Sequence, residues 1–157
     1  ALEKACKILN ELRCPFIINQ NRYSIFDRTI EQNGLKGSAA RLQKGIIAFS
    51  PLAQGLLTDR YLHGIPADSR VHTDGRFLKE KDITPERLAQ ISALNDLARQ
   101  RGQTLAEMAL AWLLAKEEIT SVLIGASRPS QILDNIKAVE HTTFTPDELA
   151  VIDRISK

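Results

Sequence analysis

The residues that say most about chemistry lie between Ser121 and Asn135. An apolar, largely β-branched run, Val122-Leu-Ile124, stops at Gly125, and Ala126, Ser127, Arg128 and Pro129 follow. The run reads as a buried strand. Gly125 permits a tight turn, and proline is favoured at the first position of a helix. A strand that passes through a small-residue turn into a helix makes an anion site, because free N–H groups and the helix dipole point at the turn. Arg128 adds a planar cation suited to phosphate. Gln131, Asp134 and Asn135 recur at steps of three and four, which predicts one shared helix face. The combination suits the phosphate end of a nucleotide.

Two further strand ends resemble this one. Phe16-Ile-Ile-Asn-Gln20 turns polar at Asn19, and Gly45-Ile-Ile-Ala-Phe49 runs into Ser50-Pro-Leu-Ala-Gln-Gly55. In a parallel sheet such ends fall on one edge, where α/β ligand sites are built. One glycine- or serine-containing turn alone is better read as punctuation. Three together, with Arg128 beside the last, favour a site. Gln20 offers a donor and an acceptor to a ligand amide, although a solvated strand end explains it as well. Phe49 could stack on a flat ring, or simply fill the core. Arg60 and Arg70 flank Gly64-Ile-Pro66 and could close over phosphates, but isolated loop arginines are more often solvated. His63 and His72 lack an acidic partner at useful spacing and read as surface. Tyr23, Tyr61 and Trp112 read as packing residues.

These positions must be held by alternating elements. Leu2, Ala5, Leu9 and Leu12 predict an opening helix ended at Arg13-Cys-Pro15. Strands are predicted over 16–20, 45–49 and 122–124, with a short helix within 34–42. From Leu56 to Ile83 periodicity is lost, and Gly64, Pro66, Asp68 and Gly75 mark a long loop. Thr84-Pro85 opens a helix that buries Leu88, Ile91, Leu94 and Ala98. Thr104 and Glu107 have capping-box spacing, ahead of Leu105, Met108, Trp112 and Leu113. Thr145 and Glu148 start the last helix. Strands apolar on both faces and separated by helices imply a parallel sheet covered by helices. No linker breaks the pattern, which predicts one domain over 1–157.

The 157 residues suffice for one core, and a formal net charge of +2 is too small to argue for nucleic acid. No apolar run is long enough to span a membrane. Two cysteines make no disulfide framework and point to a reducing cytoplasm. The three histidines show no metal-ligand spacing.

Gly45 to Thr58, then Gly64-Ile-Pro66 and Ser69-Arg70, then Ser121 to Ser127 with Gln131 and Asn135, together resemble the second half of an aldo-keto reductase. The nearest likeness is to the glyceraldehyde-3-phosphate-type reductases and the related potassium-channel β subunits. Asn19-Gln-Asn-Arg-Tyr-Ser24 is similar to the family's sixth-strand motif. The resemblance runs through essentially the whole chain. It implies a parallel (β/α)8 barrel, of which this chain supplies the last three strands and their helices, and NADP bound across the strand ends. By the resemblance, Gln20 holds the nicotinamide carboxamide and Phe49 stacks on its ring. Ser50, Pro51, Leu52 and Gln54 run along the pyrophosphate, with Gly55 keeping the loop tight. Arg60 and Arg70 embrace the cofactor from outside. Gly125, Ser127, Arg128, Gln131, Asp134 and Asn135 bind the adenosine end, with Ser127 and Arg128 at the 2′-phosphate.

The family's catalytic Asp, Tyr, Lys and His come from the first four strands, which have no counterpart here. The resemblance therefore implies a C-terminal half that carries most of a cofactor site, no catalytic residue and no metal. Its partners would be a small carbonyl substrate and the missing N-terminal half, with a homo-oligomer possible. A channel-β-like regulatory subunit and an inactive nucleotide-binding remnant are the rival readings.

Overall fold

The computed structural model describes residues 1–14, 16–67, 69–73, 76 and 78–156, with the side chains of Arg70 and Thr73 outside that set. Pro15, Asp68, Gly75 and Phe77 lie outside the described residues.

Three parallel strands form one sheet in the order β1 (Ile18–Arg22), β2 (Gly45–Phe49) and β3 (Ile119–Leu123). Helices precede, separate and follow them: α1 (Leu2–Glu11), α2 (Thr29–Gln32), α3 (Leu35–Arg41), α4 (Arg70–Thr73), α5 (Pro85–Gln100), α6 (Leu105–Leu114), α7 (Pro129–Ile136) and α8 (Pro146–Ser156). Parallel pairing requires a crossover between strands, and the helices supply it. The middle strand falls where the sequence places it. The first is shifted two residues onward, since Asn21 pairs with Ala48 and Arg22 with Phe49. Polar side chains there do not stop a ladder made by the backbone. The third strand starts at Ile119 and ends before Ile124.

Strand alternation divides the sheet into two faces. Ile46 and Ala48 are fully buried against Ile91 and Leu94 of α5, Met108 and Trp112 of α6, and Ile152 of α8. The opposite face carries the rows Gln20–Ile47–Ser121 and Arg22–Phe49–Leu123. On that face Leu123 is 53% exposed. Gly45 permits close approach of β3, because a Cβ there would collide with Thr120 Oγ1 and crowd Ile18.

The capping boxes expected at Thr104–Glu107 and Thr145–Glu148 are both made. The segment from Leu56 to Ile83 is not the structureless loop that its lost periodicity implied. It holds one-turn helices at Asp59–Tyr61 and Glu80–Asp82 besides α4. Leu56, Leu57, Tyr61, Ser69 and Leu78 are buried, and the Tyr61 hydroxyl lies 2.9 Å from Ser69 Oγ. Single apolar residues on separate short turns anchor the segment without leaving a period.

Candidate functional site

The C-terminal ends of the strands and the loops beyond them bring several candidate residues together. Gln20 sits within β1 on the open face, one row before Phe49 of β2, and Gln20 is exposed while Phe49 is half-buried. Arg22 shares the row of Phe49 and pairs through Nε with Asp27 Oδ2 at 3.2 Å. Arg22 was not singled out from the sequence. The signal that reaches Arg22 is alternation counted onward from Gln20.

Beyond β2 the backbone turns sharply. Ser50, Ala53, Gln54 and Gly55 all have positive φ, at 53°, 48°, 62° and 97°. Left-handed conformations in non-glycine residues cost free energy and cluster at ligand sites. A backbone that alternates between hands also turns successive N–H groups into a concavity suited to anions. The loop is held by the Ala53 N–H to the Ser50 carbonyl at 3.0 Å, the Gly55 N–H to Leu52 at 2.9 Å, and the Leu57 N–H to Leu52 at 3.1 Å. Gln54 Nε2 also donates to Ser50 Oγ at 3.1 Å. Pro51 is buried and Leu52 half-buried, so both serve packing from within this loop.

At the third strand end, Gly125, Ser127 and Arg128 are exposed, and Pro129 opens α7. Gln131 Oε1 accepts from the Ser127 N–H at 2.8 Å, from Ser127 Oγ at 3.2 Å and from the Arg128 N–H at 3.2 Å. Gln131, Asp134 and Asn135 lie along one side of α7, as the spacing predicts, but their side chains make separate contacts. Gln131 folds back over the helix start. Asp134 is exposed and pairs with Lys137 at 3.0 Å. Asn135 is only 9% exposed and lines a cavity with Leu110, Ser121, Ile124 and Val139. Packing of α7 on α6 sets that rotation, and spacing alone could not reveal it. Arg60 is exposed on its own helical turn, and the side chain of Arg70 lies outside the described residues.

Neither phenol reaches the open face. Tyr23 is buried and donates to Glu31 Oε1, and burial together with that carboxylate pushes its pKa far above the usual range. Tyr61 is buried against Ser69. His63 and His72 are exposed, as the sequence implied. Among the described residues no group of three or more His, Cys, Asp or Glu could hold a metal ion. No described helix is long and apolar enough to cross a membrane.

The aldo/keto reductase family profile matches residues 1–157. The L-glyceraldehyde 3-phosphate reductase of Escherichia coli K12 is 45% identical over 155 residues, which cover 97% of this chain and 45% of that protein. A putative voltage-gated potassium channel subunit beta of Schizosaccharomyces pombe is 40% identical over 115 residues, 71% of this chain and 33% of that protein. A crystal structure of a thermostable aldo-keto reductase superposes with a TM-score of 0.65 at 23% identity, covering 95% of this chain and 43% of that one. The fold is thus a portion of the parallel (β/α)8 barrel, and the chain spans about half the length of the curated relatives it matches. With the profile matched from first residue to last, this chain belongs to the aldo/keto reductase family.

Proposed function

We propose that this chain carries most of the cofactor site of an NADP-dependent oxidoreductase that reduces aldehydes or ketones to alcohols. The observation that supports it most is a juxtaposition at one sheet edge. Gln20 and Phe49 lie in neighbouring rows of the open face, and the left-handed Ser50–Gly55 loop begins where Phe49 ends.

The donor set fits the group. Gln20 offers an exposed carboxamide that can exchange two hydrogen bonds with the nicotinamide amide. The Phe49 ring gives a flat surface for the nicotinamide. Ser50, Pro51, Leu52, Gln54 and Gly55 form the loop along the pyrophosphate, where the Ser50 hydroxyl meets negative oxygen. Ser127 and Arg128 meet the 2′-phosphate, with Gly125, Gln131, Asp134 and Asn135 toward the adenosine, and Arg60 and Arg70 clasp from the long segment. When bound, the reduced nicotinamide supplies a hydride to a carbonyl carbon. This chain's own residues bind and orient it. By the family likeness, the proton for the carbonyl oxygen comes from the other half of the barrel, and Tyr23 and Tyr61 are both buried and engaged. Cys6 and Cys14 are free thiols, which suits the reducing cytoplasm we assign it.

Titration with NADPH, followed by the cofactor's fluorescence, tests binding. Saturable binding in the micromolar range is expected, and none would reject the reading. The chain alone should reduce no aldehyde measurably, because acid–base assistance is commonly worth about 10²–10⁴ in rate. Robust turnover by the purified chain would place the proton donor among these residues. The similarity to channel β subunits supports a second reading, in which nucleotide binding tunes a membrane partner. Co-purification of the full-length protein with a channel, at undiminished affinity when turnover is blocked, would favour it.

A further inference from the structure

We propose that Gln54 is a positioning residue that makes the Ser50 hydroxyl a committed hydrogen-bond donor to a cofactor oxygen. The inference rests on the cofactor reading above, and it gives Gln54 a different role from a direct contact along the pyrophosphate.

A serine hydroxyl has one proton to give and two lone pairs that accept. Left alone at the edge of a loop, its proton rotates among local acceptors, backbone carbonyls included. Here Gln54 Nε2 donates to Ser50 Oγ at 3.1 Å, so one lone pair is occupied by an incoming N–H. Among the described residues no acceptor takes the Ser50 proton. An oxygen that accepts from one side presents its O–H away from that donor, and the two bonds polarise each other. Ser50 directly follows Phe49 at the end of β2, so the free proton sits where the open face meets the anion-suited loop.

The backbone is shaped for this contact. Gln54 has φ 62° and ψ 22°, a left-handed conformation that a long side chain rarely adopts. Ser50 is left-handed too, with φ 53°. Two such residues four positions apart fold the loop so that the later side chain reaches back to the earlier. Glycine or asparagine would meet the backbone requirement at lower cost. Glycine has no carboxamide, and that of asparagine sits one methylene closer to the backbone. A glutamine held in an unfavourable conformation, with its amide on Ser50, is what a positioning role needs.

Two measurements on the 157-residue chain decide this, using Gln54→Met, Ser50→Ala and the double variant. The first is amide exchange without cofactor, at Ala53, Gly55 and Leu57, whose N–H groups close the loop. Gln54→Met should speed exchange there by about two- to tenfold, the worth of one hydrogen bond, and leave β2 unchanged. Unchanged exchange would mean that the Gln54–Ser50 bridge does not hold the loop, and would overturn the inference whether or not NADPH binds. The second is NADPH affinity. Each single variant should weaken binding, Gln54→Met by about two- to tenfold, and the double variant should be no weaker than Ser50→Ala. If the two losses multiply, Gln54 contacts the cofactor independently and the proposal fails. If the unaltered chain binds no NADPH, the cofactor reading fails, and the exchange measurement still judges the bridge.

Discussion

The two faces of one small sheet differ more than any two helices of the molecule. On the helix side, Ile46 and Ala48 are sealed beneath Ile91, Leu94, Met108, Trp112 and Ile152, none with accessible surface. On the other side, alternate residues of the same strands are open, with Gln20 and Arg22 exposed and Leu123 half exposed. Helix crossovers supply the closed face from within the chain. The open face can be covered only by what completes the barrel or lies against it. The candidate site straddles this open face and its loops, so residues that hold the fold and residues that meet a ligand are largely separate sets.

That separation predicts the largest effects on the closed side. Trp112 packs at 5.4 Å from Tyr23, with Arg28 4.7 Å and Lys116 4.3 Å from its ring centre. Trp112→Ala should cost about 3–5 kcal/mol in urea unfolding. Among the described residues its buried Nε1 has no hydrogen-bond partner, so Trp112→Phe should cost much less than volume alone suggests. Equal losses for the two would mean that the orphaned N–H carries no penalty.

Arg101 comes next. Its side chain, 2% exposed, joins the end of α5 to the start of α8 through Glu148 at 2.6 Å and the Thr143 carbonyl at 2.9 Å. It also lies 3.7 Å from the Phe144 ring centre. Arg101→Met should cost about 3 kcal/mol, the low end for a broken buried pair, because Glu148 is 23% exposed and can rehydrate. Burial pushes the Glu148 pKa up, but the Thr145 N–H and Arg101 overcome this and hold it below its ordinary 4.5. A carboxyl with a depressed folded pKa stabilises above its unfolded pKa, and that stability is lost as pH falls through the folded value. The difference between unaltered chain and Arg101→Met should therefore narrow below pH 4.5. A constant difference down to pH 3 would assign the loss to the Thr143 and Gln103 bonds and to packing on Phe144.

The closed face was the legible one. Apolar runs located three parallel strands, capping boxes located two helix starts, and the stripe through Met108 and Trp112 located the core. The site was legible only in part. Phe49, Ser50 and Arg128 fall where alternation and punctuation put them, whereas Gln20 lies inside its strand and not at its end. Left-handed φ at Ser50, Ala53 and Gln54 carried no signal, since residue type predicts that region only for glycine and, weakly, asparagine or aspartate. The rotation of α7 that buries Asn135 also lay beyond reach, because helical spacing gives relative angles and not the direction of the core. The anchoring of Tyr61 on Ser69 joins two residues of a segment with no period to read.

On the open side, effects should appear in binding. Arg128 is exposed at the start of α7, and a charge-assisted contact is worth roughly 1.5–3 kcal/mol, so Arg128→Ala should weaken NADPH about tenfold to a hundredfold. NADH, which lacks the 2′-phosphate, should be barely affected, and stability should move little. Equal losses for both cofactors would remove Arg128 from the 2′-phosphate and leave it a general anion contact.

The smallest effect on stability should come from the apolar residues left outside. Leu123 on the open face and Leu133 on α7, 62% exposed, have little packing to lose. Leu123→Ser and Leu133→Ser should each change the unfolding free energy of dilute chain by less than about 0.5 kcal/mol. Exposed apolar surface beside unpaired strand edges drives association, and β1 and β3 each have one neighbour in the sheet. The isolated chain should therefore sediment as more than a monomer at micromolar concentration, and the two serine variants should shift it toward monomer. The two readouts must move oppositely: association falls while stability holds. A loss of 2 kcal/mol or more from Leu123→Ser in dilute monomer would show that the open face is packed in solution. The contrast between the faces would then belong to the sheet's burial pattern alone and not to how the chain is stabilised.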